Sequence, residues 1–154
     1  MWGISKDHDP FKLIKNQVLT ESQVDQIKAE VTQAAVAHLN ATDAETALSH
    51  FTEDVVAVSN ERLFPSLEAL AEDVRAYYDI LEEVNSAAWD EIHIRVIDSN
   101  AAVFTAKFLY SFTSKEKTRT DLQGIWTALY VREKSVWKIC VRHESFVENQ
   151  GGRR

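Results

Sequence analysis

The chain is poor in the residues from which most recognisable sites are built. Cys140 is the single cysteine among 154 residues. It can form neither an intrachain disulfide nor a thiolate metal cage, and a reducing, cytoplasmic setting is expected. Four glycines do not make a glycine-rich phosphate loop. Basic residues number 17 against 24 acidic ones, for a net charge of −7. A general nucleic-acid binder needs a basic face to meet phosphates, so that class is excluded. One cation inside a pocket could still serve an anionic small ligand. No apolar run nears the roughly 18 residues of a membrane span. The opening MWGISKDHDPFKLIKNQ lacks an apolar h-region and is not read as a secretory signal. The five histidines are scattered, with no H-x-H or E-x-x-H on one face. Neither a metal nor a cofactor is therefore expected.

What is present is a hydrophobic fraction of 45%, enough for one domain with one core. The division expected is an N-terminal arm over residues 1–19, a domain over 20–147 and a disordered tail over 148–154. Asp7, His8 and Asp9 resemble metal ligands, but adjacent residues on an arm lack preset geometry. Thr20 and Gln23 form a capping box, followed by Val24, Ile27, Val31, Ala34, Ala35 and Leu39 at helical spacing. His38 lies at the edge of that stripe. Thr42 and Glu45 read as a second capping box for a short helix with Ala44, Ala47, Leu48 and Phe51 on one side. His50 falls off that side and is read as exposed. Pro65-Ser66 opens a third helix, with Leu67, Leu70, Val74, Tyr77 and Leu81 in its stripe and Tyr78 beside it.

From Trp89 onward the period changes to two. Residues 89–97, 102–113, 118–132 and 136–147 alternate, separated by turns at Asp98–Asn100, Lys115-Glu116 and around Lys134. Three helices followed by long antiparallel strands predict an α+β fold, with a curved sheet packed on the helices.

Several stretches resemble the nuclear transport factor 2-like superfamily, in particular its SnoaL-like branch. NATDAETALSHFTEDVVAV (40–58) resembles its helix break, second helix and first strand. IRVIDSNAAVFTAKF (94–108) resembles its first long hairpin. WTALYVREKSVWKICVRHES (126–145) resembles its closing hairpin. The resemblance covers residues 21–147 and is spread over many weakly specific positions. At the closing turn Glu133-Lys134-Ser135 stands where the family usually has an Asp-Gly-like pair. The resemblance implies a cone-shaped α+β barrel with a pocket, usually dimeric through the sheet. It implies no single activity, since members include isomerases, dehydratases, cyclases, epoxide hydrolases, transport factors and kinase association domains.

Alternation assigns the faces once turn lengths are assumed. With two-residue turns, the pocket face collects Asp90, Thr105, Lys107, Ser111, Trp126, Tyr130, Trp137 and His143. An unpaired buried charge is costly, so Lys107 is expected to pair with Asp90 at the pocket mouth. Lys107 also sits where the kinase association domains resembled here carry a pocket arginine, which implies an anionic group on the ligand. His143 or Asp90 would act as base, and Tyr77 or Tyr130 would donate to a developing oxyanion. Lys107, Trp126, Trp137, Thr105, Ser111 and Tyr78 would contact the ligand. The opposite face collects Phe104, Phe108, Tyr110, Phe112, Cys140 and Arg142. An exposed patch of that kind usually marks an interface, here a sheet-to-sheet homodimer.

The function expected is that of a small-molecule pocket protein. It would run acid–base isomerisation, dehydration or cyclisation on a small, partly apolar, anionic or aromatic substrate. The alternatives are a non-catalytic binding pocket and a homo-oligomerisation module.

Overall fold

The computed structural model describes residues 18–150. Most of the N-terminal arm, with Asp7, His8 and Asp9, lies outside the described residues, as do residues 151–154. Helix α1 (Glu21–Leu39) opens on the capping box, in which Thr20 accepts from the Gln23 amide and Gln23 accepts from the Thr20 amide. It buries Ile27, Val31 and Ala35. Helix α2 (Ala44–Ser49) is capped by Asp43, not by Thr42. The Asp43 carboxylate accepts from the Thr46 amide at 2.7 Å and from its hydroxyl at 2.8 Å. A charged acceptor at an N-cap makes a stronger bond than a hydroxyl can. Helix α3 (Leu67–Ile80) starts from Ser66 as read, and Leu81 already turns extended.

Six strands follow the order β2-β1-β6-β5-β4-β3: β1 Phe51–Ser59, β2 Arg62–Phe64, β3 Leu81–Asp98, β4 Ala101–Ser114, β5 Arg119–Glu133 and β6 Val136–Gln150. Phe51 is the first residue of β1 and does not belong to α2. β1 runs parallel to β6, so the sheet is mixed, whereas alternation predicted antiparallel pairing throughout. β6 stays paired through Gln150, opposite Thr120, past the expected end of the domain.

Two single-residue insertions decide which side chains of β4 and of the second half of β6 face the helices, and register shifts in β3 set that strand's own faces. The β4–β5 turn spans three residues, Lys115 to Lys117, with the Ser114 amide donating to the Thr118 carbonyl at 2.9 Å and Lys117 at φ 68°. A two-residue turn was expected there, and the extra residue reverses the parity of β4. In β6 the register shifts between Tyr130↔Ile139 and Leu129↔Val141, which makes Cys140 a β-bulge. Beyond it, β6 presents the opposite set of side chains.

The inner face therefore reads in rows of paired residues. One row is Ala57, Arg142, Ala128, Phe104 and Ile94. The next is Ser59, Glu144, Trp126 and Ala106, and a third is Phe146, Gly124, Phe108 and Trp89. Phe104 is 0% exposed, Phe108 7% and Phe112 9%, with Tyr110 packed against the core. Their assignment to an interface is corrected: these rings are the core beneath α1 and α3, and Arg142 lies among them. The outer face takes Val58, His143, Thr127, Thr105 and His93 in one row, and Ser145, Ile125, Lys107 and Asp90 in another.

Gly124 is required by this packing. A Cβ there would lie 2.0 Å from the Ser145 carbonyl oxygen and 2.8 Å from the Phe146 Cα, both backbone atoms that cannot step aside. Gly124→Ala is expected to destabilise the fold by about 3 kcal/mol in urea unfolding. The closing turn has Lys134 at φ 48° and Ser135 at φ 70°, a conformation that asparagine and glycine adopt with less strain. The Lys134→Asn, Ser135→Gly double variant should raise stability by about 1 kcal/mol, read as a shift in urea midpoint at constant slope.

Candidate functional site

Where α1 ends, its last turn delivers His38 to the inner face of the sheet. The imidazole meets the Phe51 ring at 5.1 Å and the Trp126 ring at 6.0 Å. Its Nδ1 lies 3.0 Å from Nδ1 of His50, which follows α2 as its C-cap. His50, read as exposed, is half-buried and bonded. Helical period does not apply to a cap residue, where the chain is already leaving the helix. Burial, then the neighbouring His50 and the Arg142 cation, push His38 down to about 3. Burial also lowers His50. Both rings are neutral near pH 7, and one Nδ1–H donates to the other ring.

Arg142 comes from β6, beyond the bulge. The small side chains of Ala57 and Ala128 flank it on the neighbouring strands, which leaves room for its long stem on a crowded face. It is 7% exposed. Its Nη2 stands 3.5 Å from Glu144 Oε1, a long contact, and that same oxygen accepts from the Ser59 hydroxyl at 2.8 Å. Arg142 Nε finds no partner among the described residues, and neither does the hydroxyl of Tyr130, itself 1% exposed. A guanidinium cannot deprotonate to escape burial, so its donors demand acceptors.

Trp89 and Trp126 lie beside this cluster, and the tyrosine pair Tyr77–Tyr110 lies further along β4. The Trp89 indole N–H donates to the Ala35 carbonyl at 2.9 Å, and its ring lies 5.0 Å from that of Trp126. Tyr78 donates to the Ala41 carbonyl at 2.9 Å. The Tyr77 and Tyr110 hydroxyls are 2.5 Å apart. Burial raises all three phenols, Tyr78 to about 12, so each remains protonated and can act only through hydrogen bonds.

The residues singled out by alternation are divided between the two faces. Trp126 and Tyr130 are on the inner face. Trp137 is buried too, but as a strut: its indole N–H donates to Glu30 of α1 at 2.8 Å, with the Arg132 guanidinium 4.7 Å above its ring. His143, Asp90, Thr105, Lys107 and Ser111 all fall on the outer face, because of the odd turn and the bulge. Asp90 and Lys107 are direct register partners. The Lys107 ammonium nevertheless bonds Glu91 at 3.1 Å, while Asp90 accepts from the Glu91 amide at 2.9 Å. The irregularity between Asp90 and His93, with Glu91 at φ 48°, accounts for that exchange. Ser111 donates to Asp121 at 2.6 Å, and the Thr105 and Thr127 hydroxyls are 3.2 Å apart. Cys140, at the bulge, is partly exposed, and burial pushes its thiol up. Asp90, Lys107, Leu109, Gln123, Ile125 and Val147 line an outer groove of about 340 Å³.

Helices followed by a six-stranded mixed sheet, with polar groups gathered on the helix-covered face, define an α+β protein of the nuclear transport factor 2-like class. Residues 28–148 match the family model of the SnoaL-like domain, and the chain belongs to that family. Three solved structures share the fold at low identity. A scytalone dehydratase-like protein from Novosphingobium aromaticivorans DSM 12444 superposes with a TM-score of 0.78 at 14% identity, covering 88% of this chain and 94% of that one. A hexachlorocyclohexane dehydrochlorinase from Novosphingobium barchaimii LL02 gives 0.70 at 11%, covering 88% and 97%. A ketosteroid isomerase-like protein from Erwinia carotovora atroseptica SCRI1043 gives 0.66 at 19%, covering 77% and 95%. No curated protein matches the chain significantly. No described helix is long and apolar enough to cross a membrane.

The depressed basicity of His38 makes stability depend on pH in a fixed direction. The unfolded chain binds a proton on this ring below about pH 6.5, and the folded chain does so only near pH 3. Its contribution is complete above about pH 6.5 and is lost progressively as the pH falls toward 3. The melting temperature should therefore drop between about pH 6.5 and 5, above the range of the carboxylates. His38→Gln should flatten that part of the profile in a thermal-denaturation series.

Proposed function

We propose that this protein performs acid–base chemistry on a small, partly apolar molecule, with proton transfer at carbon leading to elimination or isomerisation. The observation that carries this reading is the grouping of a neutral, half-buried histidine pair with a buried arginine on the aromatic inner face. His38 is the proposed base. Arg142 takes the ligand-contacting role first expected of Lys107, and the Tyr130 hydroxyl, which lacks a partner among the described residues, is a donor for developing negative charge. The fold supports the class without choosing the reaction. Its structural relatives include dehydratase-like, dehydrochlorinase and isomerase-like proteins.

The test is incubation in D2O with a panel of cyclic ketones, β-hydroxy ketones and halogenated cyclohexanes. Deuterium incorporation and loss of water or halide are followed by NMR. Turnover should fall at least about 100-fold in His38→Gln and stay unchanged in the outer-face variants His143→Ala and Lys107→Ala. Loss of turnover in His143→Ala with full activity in His38→Gln would return the site to the outer face.

A second reading, compatible with the first, is self-association through the outer face. Leu109 is 52% exposed, Ile125 50%, Val141 46% and Val147 57%, and all four lie on this one surface. Asp90 and Lys107 give its edge both signs of charge, which a two-fold arrangement of a second copy can satisfy. Sedimentation velocity should show a dimer that Ile125→Glu converts to monomer. A monomeric native protein at micromolar concentration would remove this reading.

A further inference from the structure

Arg142 and the histidine pair stand together, with Glu144 as the carboxylate facing the arginine. Among the described residues, few groups face His38. His50 approaches from the end of α2, Arg142 comes from β6, and Glu144 lies one row further along β6. Phe51 of β1 and Trp126 of β5 complete the contacts without charge. From α3, the Tyr78 phenol is engaged with the Ala41 carbonyl. Glu144 compensates Arg142 poorly, being 3.5 Å from Nη2 and already accepting from Ser59. The local balance is thus a buried guanidinium whose Nε has no partner among the described residues, one carboxylate at 3.5 Å and two neutral imidazoles.

The Nδ1–Nδ1 contact sets how many protons the pair can hold. At 3.0 Å one ring donates its Nδ1–H and the other accepts, so the donor ring has a bare Nε2 and the acceptor ring carries its own hydrogen on Nε2. One proton from solvent fits on the donor's Nε2 with the bond between the rings intact. A second would place hydrogens on both Nδ1 atoms and break it. The pair is built to take up one proton and no more.

We propose that Arg142 binds the carboxylate or enolate of an anionic ligand with an apolar body, and that its arrival draws one proton from solvent onto the His38–His50 pair. This deepens the reading of the inner face as the functional site and rests on it. The planar guanidinium fork suits a carboxylate in two-point contact. Phe104 in the same row is 0% exposed and Trp126 in the next 4%, so an apolar ligand body reaches these rings only when the side chains packed over them give way. Before the anion enters, the arginine cation opposes a second positive charge nearby. Burial is the largest obstacle to a charge on His38, ahead of His50 and the arginine; the carboxylate removes the arginine's part and gives the imidazolium a partner against the rest. The ligand thus prepares its own acid–base group.

The test is isothermal titration calorimetry of the full chain with benzoate as probe, in PIPES, MOPS and Tris, whose ionisation enthalpies differ. At about pH 6 the dependence of heat on buffer should report uptake approaching one proton per benzoate, shrinking to near zero at about pH 8.5. Benzamide, of the same shape but uncharged, should bind at least about tenfold more weakly and without uptake. Arg142→Met should lose benzoate binding. His38→Gln should keep binding and lose the uptake. Benzamide needs no substitution, so the prediction holds even if Arg142→Met does not fold. Binding of benzoate with no buffer dependence, uptake that survives in His38→Gln, or no benzoate binding to the native chain each overturns the proposal. Proton uptake without turnover of any panel substrate leaves this inference standing and removes the catalytic reading. Turnover that depends on His38 without uptake does the reverse.

Discussion

Between the pair Tyr130–Ile139 and the pair Leu129–Val141 the closing hairpin gains one residue, Cys140. The inner face depends on that insertion. Before it, Trp137 and Ile139 point at the helices; after it, Arg142, Glu144 and Phe146 do. A sheet face covered by helices admits a cation only at a cost of several kcal/mol unless it is compensated. The bulge is what brings one there, between the small side chains of Ala57 and Ala128. The same shift sends Val141, His143 and Ser145 outward. One irregular backbone position thus sets the composition of the core, the location of buried charge and the apolar character of the outer face.

The second constraint is the three-residue turn at Lys115–Lys117, which places Phe104 opposite Ala128, Ala106 opposite Trp126 and Phe108 opposite Gly124. The large rings of one strand meet the smallest residues of the next, and a core at native packing density requires that complementarity. Gly124 is the extreme case: Phe146 and the Ser145 carbonyl occupy the space a side chain would need. Helix α1 is then fixed by polar contacts from its middle and its second half. Glu30 accepts from Trp137 and Arg132, and the Ala35 carbonyl accepts from Trp89. The far end of α1 is thereby held over Trp126, which is why His38 sits where it does.

Much of the architecture was legible in the chain, because caps and periodicity are local. Thr20 with Gln23, Ser66 before α3, and the change from helical to alternating period near Trp89 each follow from a few neighbouring residues. The site was less legible. Phe104, Phe108 and Phe112 recur every fourth residue on one strand face, and the simplest physical meaning of three such rings is a core. A signal for the bulge was also present. Trp137 and Ile139 lie on odd positions and Phe146 on an even one, so bulky residues at both ends of β6 can turn inward only if parity changes between them. Nothing local marks His50, whose importance comes from a partner twelve residues away across a helix break.

Sequence alone determined the elements, their order and their alternation, since each arises from backbone and side-chain preferences over a few residues. Only the tertiary structure decided which alternate set is buried. Face depends on counting residues through every turn and bulge, and one extra residue reverses it at little local cost. The energy that selects the register comes from packing between strands far apart in the chain. His38, His50 and Arg142 are therefore ordinary residues in the sequence and become a site only when α1, α2 and β6 are brought together.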